Sequence, residues 1–117
     1  MKTTLVGKLL LITVSILIIS CSSAVKTDEN LNGKSIEFIR EKIGAPTYEK
    51  EFILTKALYE YQYGLLSYYP EPNGKNIQIR EFGWNKNHKK TVVWFHKINY
   101  KWVSLCNVTW NPDKTKF

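Results

Sequence analysis

Between Asn76 and Trp110 the chain holds three successive strand-like runs separated by polar, turn-forming stretches, and the first of them alternates along its length. Alternation with a period of two places successive side chains on opposite faces, the geometry of a β-strand. In the first run Ile77, Ile79 and Glu81 share one side, and Gln78, Arg80, Phe82 and Trp84 the other. Asn85 to Lys90 (Asn-Lys-Asn-His-Lys-Lys) is a polar turn into a Val-, Trp- and Phe-rich run from Thr91 to Ile98. Asn99-Tyr100 with Lys101 makes a tight connection to the last run, Trp102 to Trp110. Upstream, Leu58 to Tyr63 sets Tyr59, Tyr61 and Tyr63 on one face against Glu60 and Gln62, and reads as a further strand. Gly64 to Gly74 holds two prolines and Tyr68-Tyr69 and reads as a long loop. Four consecutive strands joined by turns favour an antiparallel meander.

One helix precedes them. Ile36, Ile39 and Ile43 recur at helical spacing, with Phe38 widening the apolar stripe. Ser35 is a good N-cap, Glu37 and Lys42 complement the helix dipole, and Gly44 with Pro46 ends the element. A helix of this length is marginal alone, so it must lie on the sheet. The expected fold class is α+β, a short N-terminal amphipathic helix packed on an antiparallel four-stranded meander sheet.

The start of the chain carries a different signal. Lys2 and Lys8 form a positive n-region, and Leu9 to Ile19 is uncharged and mostly apolar, the pattern of a secretory signal. Those eleven residues would cover about 16 Å as a helix, well short of a bilayer core. Ile18-Ile19-Ser20-Cys21 resembles the lipobox of bacterial lipoproteins, where a small residue precedes the cleavage point and the cysteine thiolate accepts a diacylglyceryl group. The expected organisation is a signal over residues 1–20, a lipidated Cys21 with a flexible tether to residue 32, and one globular domain over 33–117. The partner implied at this end is the membrane, through the lipid on Cys21. Ser22 rather than Asp follows the cysteine, which by resemblance to enterobacterial lipoprotein sorting implies the outer membrane, facing the periplasm.

Composition narrows the rest. Once Lys2 and Lys8 leave with the signal, 15 basic residues against 10 acids give the mature chain a net charge of +5. A basic exported domain meets anionic headgroups or acidic proteins rather than nucleic acid. All 16 aromatic residues lie after the signal, which fits a packed core. Lipidation consumes one of the two cysteines, so Cys106 has no intramolecular partner and reads as a small buried hydrophobe.

Cys21, Gly33-x-Ser35, Ile43-Gly44-x-Pro46 and the Tyr59-Glu-Tyr-Gln-Tyr63 run together resemble the SmpA/OmlA lipoprotein family, the small subunit of the outer-membrane β-barrel assembly machinery. The resemblance implies helices on an antiparallel sheet, a fold shared with the β-lactamase-inhibitor-like group. It also implies a non-catalytic envelope protein that binds another protein, with a periplasmic inhibitor or immunity protein as the alternative. It is strongest over the first third of the mature chain; the Trp-rich second half departs from the family pattern.

Chemistry-bearing constellations are few. Glu60 and Glu81 could form a carboxylate pair only if their strands were in register, and single acids on a strand's polar face are usually solvated. His88 and His96 lack ligands at metal spacing, so neither metal nor cofactor is expected. Trp84, Trp94, Trp102 and Trp110 read as core or rim packing. Tyr68 and Tyr69 are the expected exposed anchors for a protein partner, a carbohydrate platform being the rival use. Lys86, Lys89 and Lys90 crowd one turn beside His88, either as a solvated hairpin or as a patch that adds charge steering.

Overall fold

The computed structural model describes residues 25–117. Cleavage after Ser20 and acylation at Cys21 lie outside the described residues. The sheet has five antiparallel strands: β1 (Val25–Lys26), β2 (Tyr48–Ile53), β3 (Gln78–Lys86), β4 (Lys89–Ile98) and β5 (Lys101–Trp110), in the spatial order β1-β5-β4-β3-β2. The helix α1 (Ile36–Ile43) lies on one face, and a 3-10 segment, Glu60–Ser67, lies on the other. The expected single helix on a four-stranded meander is therefore corrected twice. There are five strands, and both faces of the sheet are covered.

Three local causes account for the difference. Leu58–Tyr63 is not a strand. The Tyr59 backbone N–H donates to the Gln62 side chain at 3.0 Å, and the Gln62 N–H returns to the Tyr59 carbonyl at 2.9 Å. That reciprocal pair starts a 3-10 turn, which buries Gln62 and Leu65 and leaves Tyr59 and Tyr63 outside. Tyr48–Ile53 carries Glu49, Lys50 and Glu51 in its middle, and charge of this kind suits the sheet edge that it forms. At the opposite edge the expected tether is held to β5. Asp28 exchanges two hydrogen bonds with the Asn107 side chain, at 2.9 and 2.8 Å, and Ser104 Oγ donates to the Leu31 carbonyl at 2.5 Å. Val25 pairs with Trp110, so the chain is bound to the sheet eight residues before Gly33.

The two core clusters follow from strand parity. Phe82, Trp84, Val93 and Phe95 face α1 and pack with Leu31, Ile36 and Ile39. Ile79, Val92 and Trp94 face the 3-10 segment and pack with Leu54, Leu65, Leu105 and Trp110. Trp94 pairs with Cys106 but Phe95 pairs with Ser104, so Leu105 is an extra residue, and this bulge adds Leu105 to the second cluster.

The helix ends are chemically satisfied. Ser35 Oγ accepts the Phe38 N–H at 3.1 Å. At the other end Lys86 Nζ donates to the Ile43 carbonyl at 2.7 Å and Trp84 Nε1 to the Gly44 carbonyl at 2.9 Å. Gly44 has φ 104° and ψ −172°, a region essentially reserved for glycine. The hairpin turns at Asn87-His88 and Asn99-Tyr100 have positive φ at both central residues, matching the twist of the strands that they join.

Candidate ligand cleft and its buried carboxylate

Glu81 stands in register with Ile79 on β3, so alternation points a carboxylate into an apolar layer. Its side chain is 0% exposed. Such burial is tolerable only when the charge is hydrogen-bonded. Gln62 Nε2 and Trp94 Nε1 each donate to Oε1 at 2.8 Å. The Tyr48 and Tyr61 hydroxyls donate to Oε2 at 2.7 and 2.9 Å, and Lys50 Nζ stands 3.4 Å away. Burial pushes the Glu81 carboxyl up; the bonds from Gln62, Tyr48, Trp94 and Tyr61 more than offset this and leave it below the usual range. Burial, reinforced by the adjacent carboxylate, raises Tyr48 and Tyr61, which keeps both phenols protonated as donors. Burial opposes the Lys50 charge, and Glu81 restores it to a net rise.

Tyr48 reaches Glu81 by lying across its cross-strand partner Gly83, where a Cβ would overlap the tyrosine ring. The glycine is needed for close approach, not for its backbone angle. Tyr61, held by its hydroxyl, stacks on Tyr59 at 6.1 Å between centroids and 9° between planes. Its ring also meets Trp110 at 5.7 Å and Phe117 at 6.5 Å.

These rings border a cleft of about 750 Å³ at the end of the sheet where β3 turns into β4. The volume suits a drug-sized molecule or a few residues of a chain. Tyr48 and Tyr61 line it, Lys90 and Lys116 stand among its lining residues, and Tyr59, Tyr63 and Phe117 are 70%, 53% and 49% exposed. The inner rings are thus pinned by a buried anion, and the outer ones are presented to solvent. Glu81 itself cannot serve as an acid or base for a ligand. Its two oxygens accept four hydrogen bonds and have no exposure, while Glu60 lies at the surface.

The surface expected around Tyr68, Tyr69, Lys86, Lys89 and Lys90 is not assembled. Tyr69 packs on the second cluster, and its hydroxyl meets His96 Nδ1 at 2.6 Å. Burial lowers the His96 pKa and raises that of Tyr69, which favours a hydrogen bond between a neutral phenol and a neutral imidazole. Tyr68 alone of the pair is an exposed ring. Lys90 lies six residues before His96 on β4, about 20 Å away along the strand. The tyrosine pair and the lysine turn therefore occupy opposite ends of the sheet, and Lys86 is engaged with the end of α1.

Trp84, Trp94 and Trp110 are core residues, and Trp102 lies under Arg80 at 4.6 Å. Cys106 is partly buried, and burial pushes its thiol up to about 12, so it is a poor nucleophile. Among the described residues no three His, Cys, Asp or Glu side chains converge as metal ligands, and no helix is long and apolar enough to cross a membrane. Treating acids on strands as solvated misses Glu81, the charge that organises these rings. Its signal was its place in the apolar register of Ile77 and Ile79.

The fold and site define a five-stranded antiparallel sheet, covered on both faces, with an aromatic cleft at one end. No family model, curated protein or solved structure matches the chain.

Proposed function

We propose that this chain is a non-catalytic, lipid-anchored protein of the bacterial envelope that binds a protein partner through its aromatic cleft. The observation that carries the reading is the division of labour among the tyrosines. Tyr48 and Tyr61 are held rigid by Glu81, and Tyr59 and Tyr63 are left exposed at the cleft. Rigid aromatic rings lower the ordering cost of binding, and tyrosine is enriched at binding hot spots. The Ile-Ile-Ser-Cys21 box supports the anchor. Together with Gly33-x-Ser35 and Gly44-x-Pro46, it supports an accessory place in an outer-membrane assembly, facing the periplasm.

The test is affinity capture from crosslinked membranes with the anchor intact, comparing the natural chain with Tyr59→Ala/Tyr63→Ala. Both rings are exposed, so the variant is expected to keep its melting midpoint and to lose its partner by more than about 1 kcal/mol of affinity. Undiminished capture of the same partner would refute the cleft as the binding site. A mature amino terminus other than acylated Cys21, read by mass spectrometry, would refute the anchor.

A further inference from the structure

We infer that the β3–β4 hairpin end of the sheet is a membrane-facing surface that docks on anionic lipid headgroups. The inference rests on the acyl-anchor reading and adds to it an orientation. Val25 lies four Cα steps after Cys21, a reach of about 14 Å at full extension. Val25 pairs with Trp110, and Trp110 pairs with Lys90, so the anchored chain enters the sheet beside the hairpin. The Asn99-Tyr100 turn is at the far end of β5, about 30 Å along the strand.

The charge at the anchored end is one-sided. Lys26, Lys86, Lys89 and Lys90 are exposed there, and the chain after β5 adds exposed Lys114 and Lys116. Pro112 lines the same depression as the hairpin, and Lys116 lines the cleft beside Lys90, so this segment folds against that end. None of the six lysines makes an ion pair among the described residues, and the four ion pairs present lie elsewhere. The acids on this side are Asp113, Glu60 across the cleft, and Asp28 and Glu29 just after Lys26, fewer than the lysines. Lys86 donates to the Ile43 carbonyl, and the other five lysines, within reach of a tethering lipid, form a strong electrostatic attachment to an acidic bilayer. Lys97 and Lys101, at the far end, are kept from the surface by the length of the sheet. The docked orientation places the aromatic cleft at the membrane, so its partner is met there and not deep in the periplasm.

The acylated full chain, reconstituted in vesicles of phosphatidylcholine and of phosphatidylcholine with phosphatidylglycerol, provides the test through amide hydrogen exchange. In the acidic vesicles exchange is expected to slow at 87–90 and 113–116 and stay unchanged at the Asn99-Tyr100 turn. Added salt is expected to reverse the protection. Each lysine near an acidic surface biases docking by roughly fivefold, so Lys89→Glu/Lys90→Glu is expected to reduce the docked-to-undocked ratio, and with it the exchange protection, by more than about twentyfold. Equal exchange in both vesicle types, or protection at the Asn99-Tyr100 turn instead, overturns the inference. Binding to the neutral vesicles reads the anchor separately. A chain that ignores neutral vesicles yet is protected at the hairpin on acidic ones upholds docking and sinks the anchor.

Discussion

Replacing Glu81 by alanine removes one acceptor group and strands several donors. Trp94 Nε1 can only donate; it lies in the second core cluster, Gln62 is buried beside it, and among the described residues Glu81 is the acceptor of both donors. Each buried donor left unsatisfied costs about 1–3 kcal/mol. Tyr48 and Tyr61 are partly exposed, so their hydroxyls can turn to water, and Lys50, with 41% of its side chain exposed, keeps its hydration. Relief from burying a carboxylate opposes these losses. Two stranded donors at that cost, less this relief, give an expected net destabilisation of about 3–5 kcal/mol. A domain of this size is stable by roughly 5–14 kcal/mol, so the loss is a large fraction of the whole.

Urea unfolding followed by tryptophan fluorescence measures the change directly, and the melting midpoint is expected to fall by about 12 °C or more. An acid titration supplies an internal control. The folded carboxyl lies below its ordinary value of 4.5. Its contribution to stability is therefore complete above that value and is lost as pH falls through the folded pKa. Glu81→Ala is expected to lack this component of the acid sensitivity. A loss below about 1 kcal/mol, or an unchanged acid profile, would refute the claim that the buried carboxylate organises this face.

Gly83→Ala is expected to destabilise by about 1–3 kcal/mol through overpacking against Tyr48, with the loss read as a lower urea midpoint; an unchanged midpoint would mean that the ring does not lie across the glycine. Gly44→Val is expected to cost roughly 1 kcal/mol or more, because its φ of 104° is strained for a β-branched residue. His96 is held below its ordinary 6.5 by burial. Its contribution is present above 6.5 and is expected to fade as pH drops through the folded value, and His96→Gln should flatten that part of a melting-temperature profile between pH 8 and 5.

Local chemistry was legible in the residues. The cap at Ser35 and the stop at Gly44 depend on atoms within one turn, and the Asn87-His88 and Asn99-Tyr100 turns join strands whose alternation is written in adjacent residues. The strands from Gln78 to Trp110 could be read for the same reason. Leu58–Tyr63 could not, because its tyrosines fit a period of two, while the bond between Tyr59 and Gln62 and the attraction of Gln62 to Glu81 decided for a 3-10 turn. Tyr69 looked like its neighbour Tyr68 until the fold brought His96 to it from 27 residues away.

The sequence by itself determined the helix from Ile36 to Ile43 and the three strands between Gln78 and Trp110 with their turns, because those properties reside in near neighbours. Only the tertiary structure decided that the sheet takes five strands, that both of its faces are buried, and that Glu81 gathers Tyr48, Tyr61, Gln62 and Trp94 around one charge. The physical reason is range. A hydrogen bond across 13 to 33 residues exists only after strands have chosen partners and register, and a carboxylate becomes a structural centre only when water has been excluded from around it.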